Sequence, residues 1–323
     1  MAKAIRIHAT GGPEVLRWDE VEVGHPGPGE ALVRQTAIGL NYLDTYHRSG
    51  LYPLPLPAVI GSEAAGVVEE IGPGVAEVKA GERVAYAGVT GAYAETRLIR
   101  AERLVTLPPA IDDRTAAAAM LKGMTAQYLL RRTCPVAAGD AVLIHAAAGG
   151  VGLILCQWAK RLGAVVIGTV STEAKATLAR EHGCEFPIVT GGEEFVARVR
   201  AITGGRGVRV VYDSVGRDTW DGSLDCLQPL GMMVTYGNSS GPVPAFSPLV
   251  LSAKGSIFLT RPSLMTYVAR RSDLLATAAE LFDVIDSGAV QIEINQTYPL
   301  AEAERAHRDL EARRTTGSSV LLP

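Results

Sequence analysis

The hydrophobic positions of this chain fall into two regimes. As far as Leu107 they come in short runs cut by turn residues: residues 3–8 and 30–37 alternate, Gly11-Gly12-Pro13 and Pro26-Gly27-Pro28-Gly29 punctuate, and residues 63–71 lead into Gly72-Pro73-Gly74. Alternation with period two is the mark of half-buried strands, so this part predicts a β-rich domain. Residues 41–48 interrupt it with a polar, one-turn helical segment, and Pro53, Pro55 and Pro57 then force an extended loop, a place where functional groups often sit. Asp112 or Asp113 can cap a helix through residues 116–120, and residues 123–132 predict a longer helix leading into the next domain.

From Val142 onward the pattern changes to unbroken apolar runs alternating with helix-spaced segments. Residues 142–144 form a buried parallel strand, residues 153–162 take up helical spacing, Gly163 stops that helix, and residues 165–169 supply a second β-branched strand. Helices over 173–182 and 193–202, strands over 186–189 and 208–212, a helix over 218–227 and strands over 232–236 and 257–260 continue the alternation. The result is an α/β, doubly wound sheet of about six strands. Beyond Arg261, a helix over 273–287, a strand over 291–298, a helix over 301–314 and a last strand over 319–322 return to the first domain.

The turn after the first strand of that sheet carries the chemistry. In the frame G-x-G-x-x-G its three positions are Ala147, Gly149 and Gly152. Gly149 leaves the backbone open to a pyrophosphate, Gly152 allows close helix–strand packing, and the helix amino terminus offers N–H groups to the anion. A dinucleotide site is expected. An NAD enzyme places a carboxylate near the end of the second strand, whereas this chain has Ser171, Thr172 and Lys175 there, which favours NADPH. A plain capping role for Ser171 or Thr172 is compatible with that reading. Ser214, Gly237, Asn238 and Leu259 stand at the carboxyl ends of other strands, where the nicotinamide half would run.

Composition narrows the function classes. The 323 residues are 47% hydrophobic, enough for two globular domains, and the net charge of −3 is spread without long runs, which gives no footprint for nucleic acid or anionic membrane. The amino-terminal stretch lacks a signal-peptide core and no segment stays apolar long enough to span a bilayer, so a cytoplasmic protein is expected. Cys134, Cys156, Cys184 and Cys226 are too scattered for a zinc knuckle or a C-x-x-C pair. A catalytic zinc in such an architecture would need a Cys on the Asn41 loop and a His where the chain reads Gly61-Ser62-Glu63, and residues 88–107 hold no Cys for a structural zinc. His47, the one histidine near the expected site, is read as neutral and hydrogen-bonded.

GGPEVL at 11–16, NYLDTYHRSGLYP at 41–53, HAAAGGVG at 145–152, VVYDSVGRDTW at 210–220, GNSSG at 237–241 and TRPSL at 260–264 run nearly end to end. On these motifs the chain resembles the zinc-free quinone oxidoreductases, the zeta-crystallin-like branch of the medium-chain dehydrogenase/reductase superfamily. The resemblance implies a GroES-like β domain from residues 1–123 and 262–323, a Rossmann domain over 124–261, a cleft between them, a homodimer, and hydride transfer from NADPH to a quinone. It also implies that Asn41, Asp44, Tyr46, Tyr52 and Arg261 line the substrate pocket, with Asp44 orienting Arg261 or a ribose hydroxyl. Cofactor contacts are implied at Asn41, Thr45, Tyr128, Ala148, Gly149, Gly150, Val151, Gly152, Ser171, Lys175, Thr190, Ser214, Gly237, Asn238, Leu259 and Arg313. Thr190 departs from the family, where a Tyr helps hold the adenosine end; Lys175 and Arg313 are then expected to hold the phosphate. Two other readings are an NADPH-dependent enal or enone reductase at the same site and a cofactor-binding crystallin-like or RNA-binding protein; the mild negative charge counts against RNA.

Overall fold

The computed structural model describes residues 1–190 and 194–323. The chain divides into two compact units: Met1–Met124 with Tyr267–Asp286 and Ile292–Pro323, and Thr125–Thr266 with Ser287–Gln291. The first unit thus resumes at Tyr267, whereas the sequence suggested residue 262.

In the second unit six parallel strands lie in the order Phe186–Val189, Val165–Val170, Ala141–Ile144, Val208–Asp213, Leu227–Thr235, Phe258–Thr260. In chain order this is third, second, first, fourth, fifth, sixth. The direction of winding therefore reverses between Ala141–Ile144 and Val208–Asp213, and ligands of such sheets bind at the carboxyl ends beside that reversal. Leu143, Ile167, Ile188, Val211 and Met233 form its buried core, as expected for strands covered on both faces. The fifth strand starts at Leu227, five residues before the expected position, and the helix before it begins only at Trp220. The helix expected from Glu193 is described from Phe195 to Ile202; Glu193, with Gly191 and Gly192 after Thr190, lies outside the described residues.

In the first unit the strand Glu30–Leu40 is the hub of a seven-stranded sheet, pairing with Ser318–Leu322, Glu63–Ile71 and Thr96–Arg100. A smaller sheet joins Leu16–Val21, Ala2–Ile7 and Ala58–Val59. Ile7, Val33, Ile38, Ile60, Tyr86, Tyr93 and Leu321 pack into one core. The two helices expected around residues 116–132 are a single helix, Asp113–Tyr128, continued by a π-helical turn over Leu129–Thr133. Asp112 caps it through the Thr115 N–H at 2.9 Å. Gly123 does not start a second helix: a Cβ there would lie 2.3 Å from Leu281 Cδ1, so it marks a close helix contact instead. Among the described residues no helix is long and apolar enough to cross a membrane.

Candidate functional site

The hub strand Glu30–Leu40 of the first unit ends directly on Asn41, which opens the helix Tyr42–Ser49. That helix makes two turns where one was expected, and Gly50, at φ 84°, ends it in the left-handed region. Asp44 Oδ2 accepts the Asn41 N–H at 2.9 Å, so the carboxylate caps the first turn. The Asn41 amide in turn donates to Glu63 Oε1 at 2.8 Å. Glu63 is fully buried, accepts the Leu121 N–H at 2.6 Å and pairs with Lys122 Nζ at 2.6 Å. Gly39 makes room for it, since a Cβ there would stand 2.3 Å from Glu63 Oε1. The Asn41 side chain is therefore held by a neutralised carboxylate, and removing either charge would leave the other buried and unpaired.

Asp44 does not line an open pocket. It is fully buried, and besides Asn41 its oxygens accept the Ser62 hydroxyl at 2.7 Å and the Tyr93 hydroxyl at 3.0 Å. Among the described residues these three groups are its hydrogen-bond partners, and one of them is the first N–H of the helix start. Thr45 turns its hydroxyl back to the Tyr42 carbonyl at 2.7 Å. Tyr46 stacks edge-on against Tyr52 with ring centroids 5.3 Å apart, Tyr42 lies 5.8 Å from Tyr46, and the Tyr52 N–H donates to the Tyr46 carbonyl at 3.0 Å. The helix and the following loop thus present one aromatic surface. His47 belongs to its edge, 6.1 Å from Tyr52 between ring centroids. Its Nδ1 is buried with no hydrogen-bond partner among the described residues, and burial lowers its pKa, which favours the neutral ring.

In the second unit the strand Ala141–Ile144 runs into a turn that places Gly149 as the N-cap of the helix Gly150–Arg161. Ala146 sits at φ 52°, a conformation that costs a non-glycine residue about 1 kcal/mol and that the turn keeps. A Cβ on Gly152 would lie 2.3 Å from the Ala146 carbonyl oxygen, so only glycine lets the helix close on the turn. On Gly149 a Cβ would meet that oxygen at 3.2 Å and nothing else nearby, which leaves its outer side open to a ligand. The first-turn N–H groups of Gly150, Val151 and Gly152 have no intrahelical acceptor by construction. This cradle fits a dinucleotide pyrophosphate.

Beneath it lies a buried polar network that the sequence did not reveal. His145 holds Thr169 Oγ1 through Nδ1 at 2.8 Å and Ser223 Oγ through Nε2 at 2.9 Å, and Asp213 Oδ2 accepts from Ser223 at 3.2 Å and Thr219 at 2.7 Å. Asp213 Oδ1 takes the Val215 and Gly216 N–H groups at 2.7 and 3.0 Å. Burial lowers the His145 pKa although Asp213 opposes the shift, so the ring is neutral. The network ties together the carboxyl ends of the first, second and fourth strands, the edge where the cradle stands.

Several of the remaining expected cofactor residues follow strands of the same sheet. Thr172 caps the helix Glu173–Glu181 by accepting the Lys175 N–H at 3.3 Å, with Ser171 exposed beside it. Thr190 is exposed and bonds only back to the Val170 carbonyl, through its N–H at 3.0 Å and its hydroxyl at 3.2 Å, among the bonds described. A Cβ on Gly237 would stand 2.4 Å from the Ser214 carbonyl oxygen, so the loops after the fourth and fifth strands touch backbone to backbone. Asn238, Tyr128 and Ala148 are buried, and Leu259 is half-buried. Arg261 is exposed and Nη1 donates to Thr235 Oγ1 and to the Gly237 carbonyl, both at 2.9 Å. Arg313 belongs to the first unit and takes φ 59°.

Residues 27–109 match the alcohol dehydrogenase GroES-like domain and residues 150–283 the zinc-binding dehydrogenase family. The chain is 54% identical to the quinone oxidoreductase of Pseudomonas aeruginosa, with 100% of both chains covered. The crystal structure of Escherichia coli quinone oxidoreductase complexed with NADPH superposes with a TM-score of 0.98 at 51% identity, covering 100% of both chains. A 2-haloacrylate reductase from a Burkholderia species is 50% identical, covering 100% of this chain and 99% of the relative. The chain belongs to the quinone oxidoreductase family of the medium-chain dehydrogenase/reductase superfamily. It is an oxidoreductase with a GroES-like domain and a Rossmann domain.

In this chain the positions that would carry zinc ligands in a metal-dependent relative have other work. Ser62 donates to Asp44, and Glu63 holds Asn41 and Lys122. Among the described residues no group of three or more His, Cys, Asp or Glu side chains is placed to hold a metal ion. Glu63, Lys122, Tyr93 and His307 escaped the sequence reading. Only Glu63 left a signal there, as an acidic residue ahead of the apolar run Ala64 to Val68.

Proposed function

We propose that this protein reduces quinones with NADPH without a metal, by the reaction NADPH + H⁺ + quinone → NADP⁺ + quinol. When bound, NADPH supplies the hydride. The observation that carries the reading is the cradle at Gly149 to Gly152, open at Gly149 and floored by neutral, hydrogen-bonded His145. Ala148, Gly149, Gly150, Val151 and Gly152 bind the pyrophosphate; Ser171, Lys175, Thr190 and Arg313 serve the adenosine end and its 2′-phosphate. Ser214, Gly237, Asn238, Leu259, Tyr128, Thr45 and Asn41 serve the nicotinamide half. Tyr46, Tyr52 and Arg261 donate to, or shape the space around, the acceptor oxygen on which negative charge builds. No single side chain is assigned as the proton donor, because a quinol anion takes a proton readily from water.

A second reading, delivery of hydride to carbon of an activated alkene, is supported by the 2-haloacrylate reductase at 50% identity. Steady-state NADPH oxidation over a panel of quinones, enals, enones and haloacrylates separates the two. Higher kcat/KM for quinones is expected, unchanged after dialysis against a chelator, and a preference for alkenes would replace the first reading by the second. We also propose a cytoplasmic homodimer with no nucleic-acid or membrane partner. The dimer reading is supported by the edge strand Phe258–Thr260, which pairs on one side only among the described residues, and by exposed Leu230, Leu249 and Phe258 around it.

A further inference from the structure

Asp44 stands at the end of a buried chain of hydrogen bonds that runs through the first unit to its carboxyl-terminal helix, Ala303–Glu311. Tyr93 OH lies 3.0 Å from Asp44 Oδ2 and 3.0 Å from His307 Nε2, and Arg48 Nη1 lies 3.1 Å from His307 Nδ1. Arg48 is clamped by Glu311 at 2.7 and 3.0 Å and donates to the Gly11 carbonyl at 3.1 Å. Asp44, Tyr93 and His307 are fully buried.

The donors in this chain are fixed by elementary chemistry. Arg48 has no acceptor atom, so it donates to Nδ1 of His307; a neutral His307 then carries its proton on Nε2 and donates to the Tyr93 oxygen. Tyr93 is left one direction for its own proton, toward Asp44. Every bond therefore points the same way and favours a charged carboxylate at its end, although among the described residues no cation is paired with that carboxylate.

We propose that Tyr93 and His307 are positioning residues for quinone reduction: they keep Asp44 ionised, and the ionised carboxylate fixes the start of the helix Tyr42–Ser49 that carries Asn41, Thr45 and Tyr46. The inference rests on the reaction proposed above. The groups that face Asp44 all enter. Ser62 and the Asn41 N–H add two donors, Glu63 from the neighbouring strand opposes the charge but is paired with Lys122 of the helix Asp113–Tyr128, and Arg48 and Glu311 act from behind His307. Burial pushes the Asp44 carboxyl up to about 6, against the three hydrogen bonds that lower it. The charge on Asp44 thus changes in a range where the enzyme can be assayed, and loss of one donor moves that range upward.

The test is the pH profile of kcat/KM for a quinone in the wild type, Tyr93→Phe and Ser62→Ala, the last removing a donor from the other oxygen. The wild type should lose activity below about pH 6, and each variant should shift that limb up by about one unit. This is about a fivefold deficit at pH 6, closing to within about twofold of wild type at pH 8.5. A limb that does not move, or a loss equal at all pH values, refutes the positioning role. Carbon-13 NMR of aspartate-labelled protein, with Asp44 identified by its absence in Asp44→Asn, reads the same titration without turnover. An upward shift of that resonance in both variants, in a protein that reduces no quinone, upholds the wiring and refutes the reaction. Quinone turnover with an unshifted resonance does the reverse.

Discussion

The Arg261 guanidinium holds the Gly237 carbonyl oxygen at 2.9 Å, which joins the residue after the sixth strand to the loop after the fifth. A second bond from the same nitrogen to Thr235 Oγ1, also 2.9 Å, fixes the direction of the side chain. Pro262 cannot continue a ladder, so the chain turns away and leaves Arg261 at the carboxyl edge. Replacing it by Ala should lower kcat/KM for quinone by about 2 kcal/mol, roughly thirtyfold, with little change in NADPH affinity. The exposed position limits the cost in stability. Steady-state kinetics beside a melting curve decide: a lower Tm with unchanged kinetics would make Arg261 a structural tie only.

Lys175 follows the cap residue Thr172 at the amino end of the helix Glu173–Glu181, where the helix dipole already favours an anion. A charge-assisted hydrogen bond from its ammonium to the 2′-phosphate should be worth about 1.5 to 3 kcal/mol. Lys175→Ala should therefore weaken NADPH binding by roughly ten- to a hundredfold and leave NADH nearly unchanged. Fluorescence titration with both cofactors checks this, and equal losses would move the phosphate contact elsewhere.

Much of the second unit could be read in the sequence because each of its strands is a local run of apolar, mostly β-branched residues, ended by a glycine or a cap. The cradle was legible for the same reason, its functional atoms being backbone atoms within one turn. The surroundings of Asp44 were not. Tyr93 and His307, which form one hydrogen-bond chain with it, are 214 residues apart in sequence, and nothing in either local pattern marks the pairing. Sequence alone therefore took Asp44 for a pocket residue, as its neighbours Asn41 and Tyr46 suggest. Gly123 misled in the opposite direction: read as a break between helices, it is a contact with Leu281, which only tertiary packing reveals.

His307 sets a pH dependence of stability. Burial and the nearby Arg48 lower its pKa to about 3 from the ordinary 6.5, so its contribution is present above 6.5 and lost as pH falls toward 3. Asp44, raised to about 6 from 3.8, has the opposite sign: its ionised form costs stability, which is regained as pH falls through 6. Between pH 7.5 and 5 the histidine should cost about 2 kcal/mol and the aspartate return about 1.4. His307→Gln removes the first effect. Its urea-unfolding free energy, although lower at pH 7.5, should fall by about 2 kcal/mol less than that of the wild type over this interval. Parallel curves for the two proteins would mean that His307 is not held neutral by the fold.

Phe258 is 56% exposed on the edge strand of the six-stranded sheet, with Leu249 at 76% and Leu230 at 67% exposed. Leu230 and Gly255 are joined by a backbone hydrogen bond of 2.9 Å, so the segment leading to Phe258 lies beside Leu230. A large apolar group left in water on an open strand edge gains about 1.5 to 3 kcal/mol when covered, and an identical edge from a second copy covers it symmetrically. The wild type should therefore run in light scattering at twice the 34.0 kDa chain mass. Phe258→Lys places a charge at that edge, and the dimer should dissociate at protein concentrations at least about tenfold higher than for the wild type. The far-ultraviolet circular dichroism of the variant should be unchanged, because the side chain contributes little to the core of its own subunit. A wild type that stays at the single-chain mass would show that the edge has no partner of its own kind, and the homodimer proposal would fall.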